Sequence, residues 1–271
     1  MALKRECVEL EIDDGVARLW LSRPEVRNAF DGRMVTELRT ALDDLAASDS
    51  VRVVVLGGRG QVFSAGADLE WMKKLAGFGR EENLDEAREM ADLFFALASS
   101  PKPVVARVQG AALGGGAGLV AACDIAVAAE GTRFGFPEVR LGLIPAVISP
   151  YVLARVGESA ARELFLTGER FDAEKAREIG LVRAVVPEPD LDAAVDGRVH
   201  ELLQAGPRAI AEAKALLREV TARRPEDVRE ATVERIASIR SSPEGQEGLR
   251  AFLEKRKPDW IATRGRSEGG S

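Results

Sequence analysis

The chain has 271 residues, of which 46% are hydrophobic and 30% are charged, and its formal net charge is −6 at pH 7. The length fits one large α/β domain, and the acidic balance argues against nucleic-acid or membrane partners, which need a clustered basic surface. The sequence shows no apolar run as long as a membrane span and no apolar signal-peptide region, so we expect a cytoplasmic protein.

Cysteine and histidine are scarce. Cys7 and Cys123 form neither a Cys-x-x-Cys pair nor a disulfide framework, and His200 is the one histidine of the sequence. We therefore expect a reducing compartment and no metal site.

The first two thirds of the chain alternate between strand and helix patterns. Residues 7–21 predict a hairpin around the turn DDG, and Asp31 is placed to cap a helix that extends through Leu45. Strand patterns follow at 51–56, 102–110, 124–129 and 132–136, and helix patterns at 84–100, 149–166 and 172–179. This alternation predicts an α/β fold with parallel strands and right-handed crossovers.

From about residue 190 the pattern is helical. Each helical segment begins with proline or an acidic residue, which favours a helix start. We therefore predict a core at 1–190, a helical region at 191–262 and a disordered tail at 263–271.

Two turns of small residues each stand between a strand and a helix, FSAGAD at 63–68 and LGGGAG at 113–118. Backbone N–H groups are unpaired at a helix start, so two such turns can aim two donors at one oxygen, as oxyanion stabilisation requires. The alternative is that the glycines only permit tight turns and close packing.

Glu138 is a candidate acid or base. It is flanked by Phe134, Phe136, Pro137 and Val139, which predicts partial desolvation of its carboxyl group. Burial raises a carboxyl pKa toward the range useful for proton transfer. An exposed loop acid or a structural ion pair is the alternative.

Two other motifs are weaker. The stretch GAGLVA at 116–121 fits a dinucleotide-binding pattern, but it is not in the first βαβ unit and does not follow its strand directly. Ser64 as a nucleophile with His200 as base lacks the glycine of G-x-S-x-G, since Val62 stands there. We expect Ser64 and His200 to be structural.

Three segments in this order, FSAGADL, VQGAALGGGAGLVAACDIAVAA and RFGFPEVRLGLIPA, resemble the enoyl-CoA hydratase/isomerase, or crotonase, family. The likeness extends from SRPEVRNAF to AFLEKRKPDW. It implies a spiral of ββα repeats with a C-terminal helical trimerisation region, assembled as a trimer or a dimer of trimers. It also implies an acyl-CoA substrate, with no cofactor besides the coenzyme A of that substrate.

The resemblance also assigns residues. It makes the N–H groups of Ala65 and Gly115 the oxyanion hole and Glu138 the proton-transfer group, while Gly118 stands where many family hydratases carry a second glutamate. It places Phe252 by the adenine and Lys255 by the 3′-phosphate of a neighbouring subunit's CoA. The CoA and substrate contacts that it implies are Arg27, Ala29, Ala65, Gly66, Ala67, Asp68, Leu69, Gly115, Phe252 and Lys255.

Finer likenesses, in FSAGADLEWM, NLDEAREM and LGLIPAVISPYV, resemble bacterial methylglutaconyl-CoA hydratases of leucine degradation. They imply reversible hydration of 3-methylglutaconyl-CoA to 3-hydroxy-3-methylglutaryl-CoA, in either physiological direction. Water activation falls to Glu138 or to the substrate's distal carboxylate, for which Lys73 or Lys74 is a candidate partner. The alternatives are a general enoyl-CoA hydratase or isomerase, an isohexenylglutaconyl-CoA-type hydratase and a non-catalytic acyl-CoA-binding protein.

Overall fold

The computed structural model describes residues 2–261, with side chains from residue 5 onward. Its strands form two sheets. In chain order they are β1 Ala2–Lys4, β2 Val8–Asp13, β3 Val16–Leu21, β4 Val53–Gly58, β5 Val104–Val108, β6 Ala111–Leu113, β7 Ile125–Ala129, β8 Arg133–Gly135, β9 Arg170–Asp172 and β10 Ala184–Val186.

The larger sheet has the order β1-β2-β3-β4-β5-β7-β10 and the smaller one the order β6-β8-β9. Strands β1, β2 and β3 pair antiparallel, whereas the neighbours from β3 to β10 in the larger sheet run parallel. The predicted hairpin and the predicted parallel sheet are both confirmed. All six residues of β4 are buried, as its run of valines predicts.

The helices are α1 Gly32–Ala47, α2 Leu69–Leu75, α3 Arg80–Ser99, α4 Gly115–Ala122, α5 Ser149–Thr167, α6 Ala173–Glu178, α7 Leu191–Gln204, α8 Pro207–Val220, α9 Pro225–Ser241 and α10 Pro243–Leu253. Asp31 caps α1 as predicted, because its side chain accepts a hydrogen bond from the Met34 N–H at 2.8 Å. In the described part of the chain, no helix has the length and apolar character needed to cross a membrane.

The smaller sheet gives the chain its repeat. Strand β5 is followed by the short β6 and then by α4, and β7 is followed by the short β8. Ser64, which lies between β4 and α2, forms a parallel bridge with Ala112 of β6. A long strand, a short second-sheet segment and a helix therefore recur, as the ββα repeat implied by the resemblance requires.

The chain divides into two compact units, Met1–Val199 and His200–Ser271. The first holds both sheets and α1–α6, with α3 packed against α1 and α4. In the second, α9 packs against α8 and α10. The domain limits drawn from the sequence at 190/191 and 262/263 stay predictions, and the tail at 263–271 lies outside the described residues.

Candidate active site

The two turns of small residues lie side by side. The Ser64 N–H donates to the Ala111 carbonyl at 3.0 Å, and the Leu113 N–H donates to the Ser64 carbonyl at 3.1 Å. Gly66 has a φ of +94°, and a Cβ there would lie 2.9 Å from the Leu113 oxygen. Glycine is therefore required at 66 both by the backbone conformation and by the close approach of the second turn.

Gly115 supplies a free N–H at the start of a helix. It is the first residue of α4 and follows Gly114, whose own N–H donates to the Gly135 carbonyl at 2.9 Å. A residue in the first helical turn has no acceptor within its helix, and across residues 2–261 no other acceptor takes the Gly115 N–H. The positive end of the helix dipole favours an anionic oxygen at this point.

The first turn offers a different donor from the one predicted. The Ala65 N–H is already used, because it donates to the Arg27 carbonyl at 3.0 Å. The structure thus corrects the role predicted for Ala65. Ala67 is exposed, and its N–H has no acceptor in the part of the chain that the structure describes. The left-handed conformation of Gly66 breaks the alternation of an extended chain, so the two N–H groups face different neighbours.

Hydrogen bonds on either side hold Ala67 in place. The Phe30 N–H donates to the Gly66 carbonyl and the Asp68 N–H donates to the Phe30 carbonyl, both at 2.7 Å. Ala67 and Gly115 thus each present an N–H group without an acceptor among the described residues, and they are the candidate pair of donors to one ligand oxygen. The sequence indicated Ala67 as a contact only, since the direction of its N–H depends on the φ of Gly66.

Glu138 lies beside this pair. It is the second residue of the 3-10 helix Pro137–Leu141, and the parallel pairing of Leu113 with Gly135 brings that segment to the start of α4. A Cβ at Gly114 would lie 3.2 Å from Glu138 Oε1. The carboxyl group is thus next to the residue that precedes the Gly115 donor.

The Glu138 carboxyl is half-buried, and its Oε2 is buried without a hydrogen-bond partner within residues 2–261. Burial raises the pKa of this carboxyl above its ordinary value of 4.5, because desolvation disfavours the charged form. The predicted desolvation is confirmed, and no ion pair of the described residues accounts for the group. A half-buried carboxyl with an unpartnered oxygen and a raised pKa is suited to proton transfer.

Local hydrogen bonds hold the conformation of the predicted CoA-binding loop. Arg27 and Asn28 adopt left-handed conformations with φ of 55° and 52°. Asn28 is fully buried, and its side chain donates to the carbonyls of Arg59 and Val62 at 2.9 and 2.7 Å. The Arg27 side chain is exposed and Ala29 is buried, and their contacts with CoA stay predictions.

Asp68 has a structural role. Its Oδ1 caps α2 by accepting from the N–H groups of Glu70 and Trp71 at 2.8 and 3.2 Å, and its Oδ2 pairs with Arg23 at 3.1 Å. Burial raises the pKa of this carboxyl, but the backbone N–H groups and Arg23 together lower it by more than burial raises it. The net pKa therefore lies below its ordinary value. Through its backbone it remains a candidate CoA contact, next to Leu69, which is 74% exposed.

The two candidate cations for a distal carboxylate differ. Lys73 is exposed and pairs with Glu70 at 2.6 Å. Lys74 lines a cavity of about 740 Å³ together with Asp68 and Trp71. Glu138 is not among the residues that line this cavity, so the structure does not bring either lysine to the proton-transfer group.

Ser64 is fully buried and its Oγ donates to the Asn28 carbonyl at 2.9 Å, while His200 is exposed on α7. The structural roles expected for both stay predictions. Phe252 and Lys255 lie in the second unit; Phe252 is 81% exposed, and the CoA contacts predicted for both stay predictions. Within residues 2–261 no group of three or more His, Cys, Asp or Glu side chains is placed to hold a metal ion.

Matches to known proteins span nearly the whole chain. The family model described as "Enoyl-CoA hydratase/isomerase" matches residues 11–263. The 2,3-dehydroadipyl-CoA hydratase of Escherichia coli is 34% identical over 249 residues, which cover 90% of this chain and 94% of that protein.

Two solved structures have the same fold. An enoyl-CoA hydratase from Shewanella pealeana superposes with a TM-score of 0.91 at 44% identity, covering 94% of this chain and 96% of that one. Pseudomonas aeruginosa AtuE superposes with a TM-score of 0.91 at 37% identity, covering 95% of this chain and all of that one (100%).

Proposed function

Because the chain belongs to the enoyl-CoA hydratase/isomerase family and has its crotonase-like α/β fold, we propose that it hydrates 3-methylglutaconyl-CoA reversibly to 3-hydroxy-3-methylglutaryl-CoA. The observation that carries the proposal is the half-buried carboxyl of Glu138, whose buried Oε2 has no hydrogen-bond partner within residues 2–261, beside the free N–H of Gly115.

The thioester carbonyl is held by the N–H groups of Gly115 and Ala67. As water adds to the double bond, negative charge builds on the thioester oxygen, and each N–H donor is worth roughly 2.7–4 kcal/mol of transition-state stabilisation. Both donors are backbone groups on turns of small residues, so no side chain blocks the carbonyl.

Glu138 handles the protons. In hydration the protonated carboxyl gives its proton to Cα while a water oxygen bonds to Cβ, and the proton released by that water returns to the other carboxyl oxygen. The double bond is consumed, water is added across it and the carboxyl is regenerated. The raised pKa favours the protonated form of Glu138, which the first step requires.

The substrate assignment rests on the residues around Glu138. Position 118 is glycine, so water addition has to proceed without a carboxylate there. A β-carbon that carries a methyl branch bears positive charge better than an unbranched one and needs less help from a base. The E. coli relative named for 2,3-dehydroadipyl-CoA supports a substrate of the acyl-CoA type. Leucine catabolism, the trimeric or hexameric assembly and the cytoplasmic location belong to the same proposal.

Double-bond isomerisation is the second candidate. One carboxyl suffices to take a proton from one carbon and return it to another, and the nearness of Glu138 Oε1 to Gly114, 3.2 Å from a Cβ there, supports Glu138 for this role. A general enoyl-CoA hydratase differs from the proposed enzyme only in the acyl chain.

A panel of CoA thioesters separates these activities. We expect turnover of 3-methylglutaconyl-CoA with a higher kcat/KM than that of crotonyl-CoA, and slow conversion of 3-enoyl-CoA. Faster hydration of crotonyl-CoA would replace the substrate by a general enoyl-CoA, and migration of the double bond without hydration would identify an isomerase. Tight binding of all thioesters without turnover would identify a non-catalytic binding protein.

A further inference from the structure

The face of α4 that carries Gly118 is closed by apolar side chains. A Cβ at this position would collide with Cγ2 of Ile148 and would lie 2.9 Å from its Cβ and 3.1 Å from Cε1 of Phe94. Ile148 is 4% exposed and Phe94 is fully buried. Any side chain at 118 therefore meets a filled space.

Ile148 has little freedom to move away. It is the N-cap residue of α5, and its carbonyl accepts from the N–H groups of Tyr151 and Val152 at 3.2 and 3.1 Å. Its side chain is β-branched and therefore stiff at χ1. The clash at 118 includes the Cβ of Ile148, which shifts only with the backbone.

Gly118 is connected to the candidate active site through α4. Its N–H donates to the Gly114 carbonyl at 3.0 Å, so it stands one helical turn beyond the residue that faces the Glu138 carboxyl. It also follows the Gly115 donor by three residues, which places both on one side of α4. A carboxylate at 118 would start from this side of the helix.

We propose that Gly118 and Ile148 together determine specificity. Ile148 fills the space beside position 118, and the glycine there leaves Glu138 as the ionisable side chain at the reacting carbons, which restricts hydration to enoyl-CoA thioesters with a branched β-carbon that accept water without a second base. This inference rests on the proposed function for its chemistry, whereas the packing that it invokes is independent of any substrate.

The packing is tested by thermal unfolding of Gly118→Ala, Ile148→Ala and the double variant. We expect Gly118→Ala to lower the Tm by at least about 2 °C, because overpacking outweighs the helix propensity gained, and to lower it less in the Ile148→Ala background. Gly197→Ala is the matched control, because Gly197 lies in α7 with nothing within 4 Å of its Cβ position, and we expect it to raise the Tm. Equal effects of Gly118→Ala in both backgrounds would overturn the proposal.

The chemistry is tested with Gly118→Glu, Ile148→Gly and the double variant on crotonyl-CoA and 3-methylglutaconyl-CoA. In the double variant we expect the ratio of kcat/KM for crotonyl-CoA over 3-methylglutaconyl-CoA to rise by about 10-fold or more, together with a second ionisation in the pH profile of kcat/KM. We expect neither change in Ile148→Gly or in the control Gly197→Glu. The same rise and the same ionisation in Gly118→Glu alone would show that Ile148 excludes nothing.

The two proposals fail in different ways. If the wild-type protein turns over none of the CoA thioesters, the proposed function fails, while the unfolding data still report on the packing of Ile148 against position 118. If the wild type hydrates 3-methylglutaconyl-CoA but the double variant, folded and able to bind the thioesters, keeps the wild-type ratio and pH profile, the role of Ile148 is refuted and the proposed function stands.

Discussion

An alanine at Gly66 would press its methyl group onto the carbonyl of Leu113, 2.9 Å away. It would also hold an L-residue at a φ of +94°, which costs roughly 1–2 kcal/mol. Overpacking against a backbone atom adds about 1–3 kcal/mol, so we expect Gly66→Ala to lower the free energy of unfolding by about 2–5 kcal/mol.

The matched control is Gly131→Ala. Gly131 has a similar φ of +78°, but a Cβ there meets nothing within 4 Å. We therefore expect the control to lower the free energy of unfolding by the conformational cost of its positive φ alone, roughly 1–2 kcal/mol. The difference between the two variants isolates the contact between the turns.

Denaturant unfolding measures both free energies, and kcat on the preferred thioester reports whether the donors are in position. Relief of the clash in the folded Gly66→Ala protein separates the turns and displaces the Ala67 N–H, and loss of one such donor lowers kcat by about 10²- to 10³-fold. The Gly131→Ala protein should keep wild-type kcat. If Gly66→Ala costs no more stability than Gly131→Ala and keeps wild-type kcat, the contact does not position the donors.

Three further outcomes are expected. Because burial raises the pKa of Glu138 in the folded state, folding stability falls as pH rises from the unfolded pKa of 4.5 through the raised folded pKa. Glu138→Gln should remove this loss, so the variant should gain stability relative to wild type across that pH range. A stability difference that does not change with pH would contradict this expectation. Asp68→Ala should lower the free energy of unfolding in urea by roughly 3 kcal/mol, because it removes the cap of α2 and leaves Arg23 without this partner. The control Asp172→Ala removes an exposed cap and should lower it by only about 1 kcal/mol. Equal losses would argue against a contribution of the ion pair. Ser64→Ala should lower stability while kcat/KM stays within about threefold of wild type, which corresponds to roughly 0.65 kcal/mol of transition-state stabilisation. A loss of turnover in the folded variant would restore Ser64 as a catalytic candidate.

The parts of the fold that the sequence predicted depend on residues close together in the chain. The hairpin β2–β3 and the cap of α1 by Asp31 were readable because alternation and capping involve residues close in sequence. The three-residue strand β6 was not, because its pairing with β8 and with Ser64 joins segments far apart in the chain. Strands this short have no periodicity of their own.

The site was predictable to the same degree. The desolvation of Glu138 followed from its flanking aromatic residues, whereas Gly115 was assigned by the family resemblance, and the residues alone indicated only unpaired N–H groups at a helix start. The choice between Ala65 and Ala67 depended on the φ of Gly66, which no composition rule supplies. The filling of the space at position 118 by a side chain 30 residues later is likewise a tertiary contact that only the structure reveals.

In the proposed reaction Glu138 is the group that moves the proton at Cα. The decisive measurement is the kcat of Glu138→Gln for hydration of 3-methylglutaconyl-CoA, compared with wild type and with the exposed control Glu130→Gln. General acid–base catalysis is typically worth 10²- to 10⁴-fold, so we predict a loss of about that size in Glu138→Gln, with acyl-CoA binding retained and with wild-type kcat in the control. Equal kcat in wild type and Glu138→Gln would contradict the account.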